Sequence, residues 1–346
     1  MLRESEFYCP ECDNGLDRQD LNRREFIKSV GATSTAMLAA GGVSDTLAAD
    51  APKKKQQPKP AEGLIREFFA TLSADQKKEL IYPWDHGAGD KPTRLRTHNR
   101  AAFNKRLADT CKPAQRDLVK DILRAILSGD EAFERVSRYN KWDASKSFEG
   151  CGAVIFGEPS DDKKFAFVFS GHHLTLRCDG NSEPGAAFGG PGYYGHLIGG
   201  YDQRNVYHYQ TGQVQKVFDA LSAEQRQQAV AAKNPGDRER GIRFPPAGMP
   251  KPGVAYSDLS NDQKGLVEKV MRTLLAPFRK EDGDEVLAVI KANGGMEKIN
   301  LAFYKDSRST DDKVRWNFWR LEGPGFIWNY RVLPHVHCYV NITSNV

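Results

Sequence analysis

The C-terminal end of the chain holds four short runs of strand-forming residues, Ile299–Tyr304, Val314–Leu321, Phe326–Leu333 and Val336–Ile342. The connections between them are too short for a crossover, so successive strands must pair antiparallel. A meander of this kind needs a cover for its apolar face. Helical signals upstream provide one. Leu64, Ile65, Phe68 and Phe69 have helical spacing within Gly63–Ala70, and Leu118, Ile122 and Ile126 form a stripe within Cys111–Leu127. Ser73 followed by Gln76 is a capping box. The same Leu-Ser signature returns at Leu221-Ser222, with Gln225, and at Leu259-Ser260, with Gln263. The intervals between the three are unequal, which reads as a recurring helix start rather than a repeat. Further helices are expected from Ser260 to Leu275 and from Gly283 to Ala292. Ala153–Phe156 reads as a short strand, Phe165–Cys178 as a strand pair or one bulged strand, and Gly180–Gly200 as a glycine-rich loop. The expected fold is α+β: helices packed on a mostly antiparallel sheet that ends in an antiparallel meander.

The N-terminus reads as a targeting segment. Asn22-Arg23-Arg24-Glu25-Phe26-Ile27-Lys28 has the form of a twin-arginine export signal, followed by a mildly apolar stretch, Ser29–Ala40, and by small residues over Thr46–Ala51 suited to cleavage. Residues 1–51 are thus an export signal with a long leader, 52–62 a Lys/Pro/Gln linker, and 63–346 a single α+β domain. The twin-arginine machinery is the expected partner and the periplasm or the extracellular space the expected location. The first 51 residues carry 5 Lys/Arg and 9 Asp/Glu, which leaves 45 and 36 in the remainder, net +9. Moderate positive charge favours anionic partners. It lacks the clustering of a nucleic-acid binder. No apolar run reaches the ~18 residues that a membrane span needs.

Cys9 and Cys12 form half of a four-ligand zinc pattern inside the leader. Cys111, Cys151, Cys178 and Cys338 remain for the exported domain, in a compartment that permits disulfides. Strand alternation groups Cys178 with Leu174 and Leu176, and Cys338 with Val336 and Val340, as small buried hydrophobes. A Cys178–Cys338 bridge requires neighbouring strands, which the sequence leaves open.

Four of the eight histidines fall in two clusters, Gly171-His172-His173 and His335-Val336-His337. Imidazole is the commonest protein metal ligand. Alternation puts His335 and His337 on one strand face, with Tyr339 and Asn341, roughly 7 Å apart at Cα. If the other cluster lies beside them, His172 or His173 completes a three-histidine set of the catalytic zinc type. Copper and iron suit the same ligands. A bulge at Gly171 would let the adjacent histidines converge. The alternative is histidines that hydrogen-bond within a core or a ligand pocket. Candidate proton-transfer residues are Glu183, Asp179 and His196. Tyr193 and Tyr194, in the glycine-rich loop, are candidates for contact with an anionic or saccharide-like small molecule. Ser170 lacks the G-x-S-x-G setting of a hydrolase nucleophile, and no Lys-Ser/Thr follows the glycines as in a phosphate loop. Two functions fit: a metal-dependent hydrolase or oxidoreductase, and a non-catalytic ligand- or metal-binding envelope protein.

Gly152-Ala153-Val154-Ile155-Phe156-Gly157-Glu158-Pro159, then Phe169-Ser170-Gly171-His172-His173-Leu174, then Gly323-Pro324 and His335-Val336-His337 resemble the bacterial DUF3500 family. The resemblance runs from about residue 64 to the end. It implies one domain and frequent export, and it implies no activity. Arg177-Cys178-Asp179 stands where the family is more apolar or carries Asn.

Overall fold

One ten-stranded sheet organises the chain. The computed structural model describes residues 60–344 apart from 88–91, 232–233, 237–242, 246–248 and 306–314. The Arg23-Arg24 segment, the Cys9/Cys12 pair and the linker up to residue 59 lie outside the described residues, as does Val314. The strands are β1 (Ile81–Tyr82), β2 (Gly152–Gly157), β3 (Phe165–Gly171), β4 (Leu174–Cys178), β5 (Gly192–His196), β6 (Val254–Ala255), β7 (Asn300–Tyr304), β8 (Phe318–Gly323), β9 (Phe326–Arg331) and β10 (Val336–Ile342). Their spatial order is β1-β2-β3-β4-β5-β10-β9-β8-β7-β6. The β1–β2 pair is parallel and the other pairs are antiparallel. The fold is α+β, and β7–β10 form the meander that the C-terminal sequence predicts.

Among the described residues the helices are α1 (Pro60–Thr71), α2 (Ala74–Leu80), α3 (Leu107–Thr110), α4 (Pro113–Ile126), α5 (Asp130–Val136), α6 (His208–Ala220), α7 (Ala223–Ala229), α8 (Asn261–Leu275) and α9 (Lys280–Ala292). Leu174, Tyr194, Val336, Cys338, Trp328 and Tyr330 point to the helical side and join one large core with Ile65 and Phe68 of α1 and Val214 of α6. Each large apolar side chain buried this way contributes about 1.5–3 kcal/mol. The opposite face carries Ser170, Thr175, Arg177, Tyr193, His337, Tyr339, Asn329 and Arg331, all buried. Irregular chain covers its β3–β4 end. The backbone N–H and C=O of His98 both bond Thr175 Oγ1 at 2.8 Å. Ala102 N–H bonds Ser170 Oγ at 3.0 Å, and Arg177 donates to the carbonyls of Arg94 and Arg96.

The unequal intervals between capping boxes argue against a repeat, and the structure corrects that. Ser73 and Ser222 start corresponding helices, α2 and α7, each preceded by a longer helix, α1 and α6. Gln76 Nε2 donates to Gln115 Oε1 of α4 (2.8 Å) and to Thr110 O (2.8 Å). Gln225 Nε2 donates to Gln263 Oε1 of α8 (3.1 Å) and to Asp258 O (3.2 Å). Gln115 and Gln263 in turn donate to the last residues of the preceding helices α1 and α6, Thr71 O and Ala220 O. The residues that leave α2 and α7 pair in parallel with the first strand of a four-strand meander, Ile81 with Ile155 and Val230 with Phe303. Two halves of one plan therefore meet edge to edge at β5 and β10. Insertions of different length in each half spoil the period in the sequence.

One alternative is decided and one expectation changes. Phe165–Cys178 is the strand pair, a hairpin rather than one bulged strand, with His172 and His173 as its two-residue turn, since Gly171 pairs with Leu174. The matching turn of the second half is Pro324-Gly325, between Gly323 and Phe326. The Pro-Gly turn is ordinary, with Gly325 at φ +61°. His173 takes φ +56° at the equivalent place, where an L-residue costs about 1–2 kcal/mol. The glycine-rich stretch Gly180–Gly200 is not one loop, because β5 lies within it in the middle of the sheet. Among the described residues, Cys111, Cys151, Cys178 and Cys338 are buried free thiols. β5 separates the strands of Cys178 and Cys338, and each thiol has other partners: Cys178 Sγ bonds Glu62 Oε1 at 3.2 Å, and Trp328 Nε1 bonds Cys338 Sγ at 3.2 Å.

Candidate metal centre

The seam between the halves is where the histidines meet. In the β5–β10 pairing His337 stands opposite Gly195, and Val336 opposite His196. The β3–β4 turn delivers His173 to the same place. Its ring lies 4.9 Å from the rings of both His335 and His337. Ligand atoms of His173, His335 and His337 lie within 4.8 Å of one another, and all three residues are buried. Glycine is needed at 195 because a Cβ there would meet the Val336 carbonyl oxygen at 2.3 Å and His173 Cβ at 3.3 Å. His335 Nε2 and His337 Nε2 are 2.9 Å apart. Two nitrogens each at about 2.0–2.1 Å from a shared ion are separated by roughly 2.9–3.4 Å, so this pair is already spaced for one.

Hydrogen bonds give the adjacent histidines 172 and 173 opposite roles. His173 Nδ1 is 2.8 Å from Asp143 Oδ2. An ionised carboxylate only accepts, so His173 carries a proton on Nδ1, and in the neutral imidazole its Nε2 keeps a lone pair. That is the carboxylate–histidine arrangement of metal ligands. His172 Nδ1 instead accepts the backbone N–H of Ala144 at 3.3 Å, so a neutral His172 carries its proton on Nε2 and cannot ligate there. Asp143, His172 and His173 also lie close enough to hold an ion. In that set the Nδ1 atoms of both histidines are already used.

Asp143 is the anchor. Burial opposes its ionisation, but the Arg138 guanidinium, the His173 hydrogen bond and His196 outweigh it and hold the carboxyl well below the usual carboxylate range. Arg138 Nε lies 3.3 Å from Asp143 Oδ2. The same guanidinium donates to the carbonyls of Gly195 (3.0 Å), His172 (2.9 Å) and His173 (2.7 Å). One buried side chain thus ties the hairpin turn, β5 and the Asp143 loop together. His196 Nε2 lies 3.8 Å from the other Asp143 oxygen, and burial lowers its pKa. On the far side, Arg331 Nη2 is 3.0 Å from both His335 Nε2 and His337 Nε2. Arginine has only donors. If both imidazoles accept from it, two lone pairs face each other at 2.9 Å. If one imidazole is protonated at Nε2, that N–H faces a guanidinium N–H. The three contacts cannot all be favourable at once.

The structure brings His172, His173, His196, His335 and His337 together. It places Tyr193 in the wall of the centre, stacked on Tyr339 with ring centroids 4.2 Å apart and with its hydroxyl 3.3 Å from Asn99 Oδ1. Tyr194 faces the helices and hydrogen-bonds Gln210. Asp179 and Glu183 lie past the opposite end of β4, roughly 15–20 Å along the strand. There Asp179 accepts the backbone N–H of Glu183 at 2.7 Å, and Glu183 pairs with Arg94 at 3.3 Å. Asp143, Arg138, Arg331 and Asn99 carry no pattern that marks them in the sequence. Only the structure marks Asp143: it lies in a stretch, Arg138 to Lys146, where Arg138, Tyr139, Asn140, Trp142, Asp143 and Lys146 all have positive φ, and strain of this kind gathers at functional sites.

A model of a family described as protein of unknown function (DUF3500) matches residues 55–342. The chain belongs to the DUF3500 family. The match covers both halves and every histidine of the centre, so this DUF3500 member carries the whole arrangement within the family region. No curated protein and no solved structure matches it.

Beside the centre, His98 is partly exposed at its edge, yet its Nε2 is buried without a hydrogen bond. Burial, then Arg177 and Arg96, push its pKa down to about 3. The folded pKa lies below the unfolded value of about 6.5. On acidification the unfolded chain therefore takes up a proton that the fold refuses, and stability is lost as pH falls from about 6.5 towards 3. Between pH 7 and pH 5 this group should cost about 2 kcal/mol. Urea unfolding of wild type and His98→Gln at the two pH values checks it: the variant should lose less stability by that amount, and equal losses would reject a neutral buried His98.

Proposed function

We propose that this DUF3500 protein is an exported metalloprotein whose ion is held by Nε2 of His173, His335 and His337. The observation that carries the reading is the pair of preset nitrogens, His335 and His337 Nε2 at 2.9 Å, beside a His173 whose Nδ1 is taken by Asp143. Three imidazoles leave a coordination position open, which is the pattern of catalytic rather than structural zinc. Zinc, copper and iron all suit the donor set. Such an ion supplies Lewis acidity towards a substrate oxygen, in a hydrolase or an oxidoreductase. The chain contributes the rest: Asp143 fixes the His173 ring and tautomer, Arg138 neutralises Asp143, and Tyr193 closes the wall. Export through the twin-arginine route, to the periplasm or beyond, rests on the Arg23-Arg24 segment.

A second reading is favoured by Arg331, whose Nη2 reaches the nitrogens an ion would take. In it the histidines are hydrogen-bonding groups of a metal-free binding protein of the envelope. Cobalt(II) added to chelator-treated protein separates the two. The metal reading expects one equivalent bound with visible ligand-field absorption, lost in His335→Ala/His337→Ala. Absence of that absorption in wild type would favour the metal-free protein.

A further inference from the structure

A cavity of about 510 Å³ opens on the turn side of the histidines. Its lining includes Asn99, Arg100, Arg106, Ser145, Lys146 and His172, and it includes no carboxylate. Arg106 is neutralised by Asp109 at 2.8 Å. Arg100 and Lys146 make no ion pair among the described residues, so the cavity carries net positive charge. Its floor is more telling. His172 is 3% exposed. With Nδ1 accepting from Ala144, its Nε2 carries the proton, and that nitrogen is buried with no partner. A buried donor without an acceptor costs about as much as a lost hydrogen bond, and His172 is one of the residues that line the cavity. Asn99 joins the cavity to the centre, since its Oδ1 accepts the backbone N–H of His173 at 2.8 Å and faces the Tyr193 hydroxyl at 3.3 Å. The His172 ring centroid lies 3.9 Å from that of His173, with the ring planes tilted by 45°.

We propose that this cavity binds a small molecule through a carboxylate or phosphate group, with His172 Nε2–H, Arg100 and Lys146 as its donors. The pocket rests on the metal reading only for what happens next: it presents the anion beside His173. Charge-assisted bonds from several donors are the usual means of holding such groups. The volume is that of a small-molecule site. His172 thereby has a function distinct from ligation, which explains why two adjacent histidines are held in opposite tautomers.

The test is calorimetric titration of the full chain at low salt with two probes, inorganic phosphate and malonate. Wild type should bind at least one of them, and the one preferred identifies the group. Arg100→Gln/Lys146→Gln changes two exposed residues and should weaken binding about tenfold or more. His172→Phe removes the floor donor and should weaken it similarly, whereas His172→Gln, which keeps an N–H, should recover part of the loss. Affinity unchanged in Arg100→Gln/Lys146→Gln, or no binding of either probe, would overturn the proposal. Metal content measured on the same samples keeps the two readings apart. Anion binding that survives in metal-free protein and is lost in the double variant leaves the pocket standing without the metal. Metal without anion binding does the reverse.

Discussion

Replacing Arg138 with methionine is expected to destabilise the fold by about 3–5 kcal/mol, the usual cost of stranding one partner of a buried ion pair. Arg138 is 1% exposed. Its loss leaves Asp143 as an uncompensated buried carboxylate and removes the donor from the carbonyls of Gly195, His172 and His173. Asp143 would regain neutrality by taking up a proton, and its hold on His173 would weaken with it. Urea unfolding at pH 7 measures the loss. Arg138→Lys makes the test specific. It restores the charge but not the flat fork that reaches three carbonyls, and should recover less than half of the lost stability. If lysine restores all of it, charge alone matters and the carbonyl network contributes nothing.

Asp143→Asn carries the second large effect. It too strands a buried charge, Arg138, but the guanidinium keeps its three carbonyl acceptors. The stability loss should therefore be smaller than in Arg138→Met, and metal binding is read on protein confirmed to be folded. Asparagine can still offer an oxygen to His173 Nδ1–H, so the ring keeps an orienting partner. The negative charge that raises imidazole basicity is gone. Loss of a partner of this kind lowers metal affinity by roughly 10–100-fold. Competition against a chromophoric zinc chelator reads the dissociation constant directly. An Asp143→Asn protein that binds zinc as tightly as wild type would mean that Asp143 serves Arg138 and the loop, not a metal ligand.

The sequence is most legible where physics acts locally. The C-terminal meander shows because alternation and short connections leave no other pairing, and the serine capping boxes show because both halves of the motif are adjacent. The strand pair over Phe165–Cys178 is legible as one of two alternatives, but the position of its turn at His172-His173 is hidden, because the residue with φ +56° is histidine and not the glycine that marks such turns. Gly325 marks the matching turn of the other half. β5 is hidden for the opposite reason: its glycines, Gly192 and Gly195, look like a loop, whereas Gly195 is there because Val336 O and His173 leave no room for a side chain. The convergence of His335 with His337 follows from strand alternation. The identity of their companion does not. Choosing His173 over His172 takes the positions of Asp143 and Ala144, which sit about 30 residues earlier in an irregular segment. The two halves escape notice because the likeness is confined to short stretches, Leu72-Ser73-Ala74-Asp75-Gln76 with Leu221-Ser222-Ala223-Glu224-Gln225, and Gln115 with Gln263.

All of this converges on one claim, that the seam histidines hold a metal ion. Metal content by mass spectrometry, on protein purified without chelator or affinity metal, tests it most directly beside a folded His335→Ala/His337→Ala variant. Wild type should contain close to one equivalent of a single transition metal, and the variant little. Wild type that contains none, and takes none up on reconstitution, would contradict it.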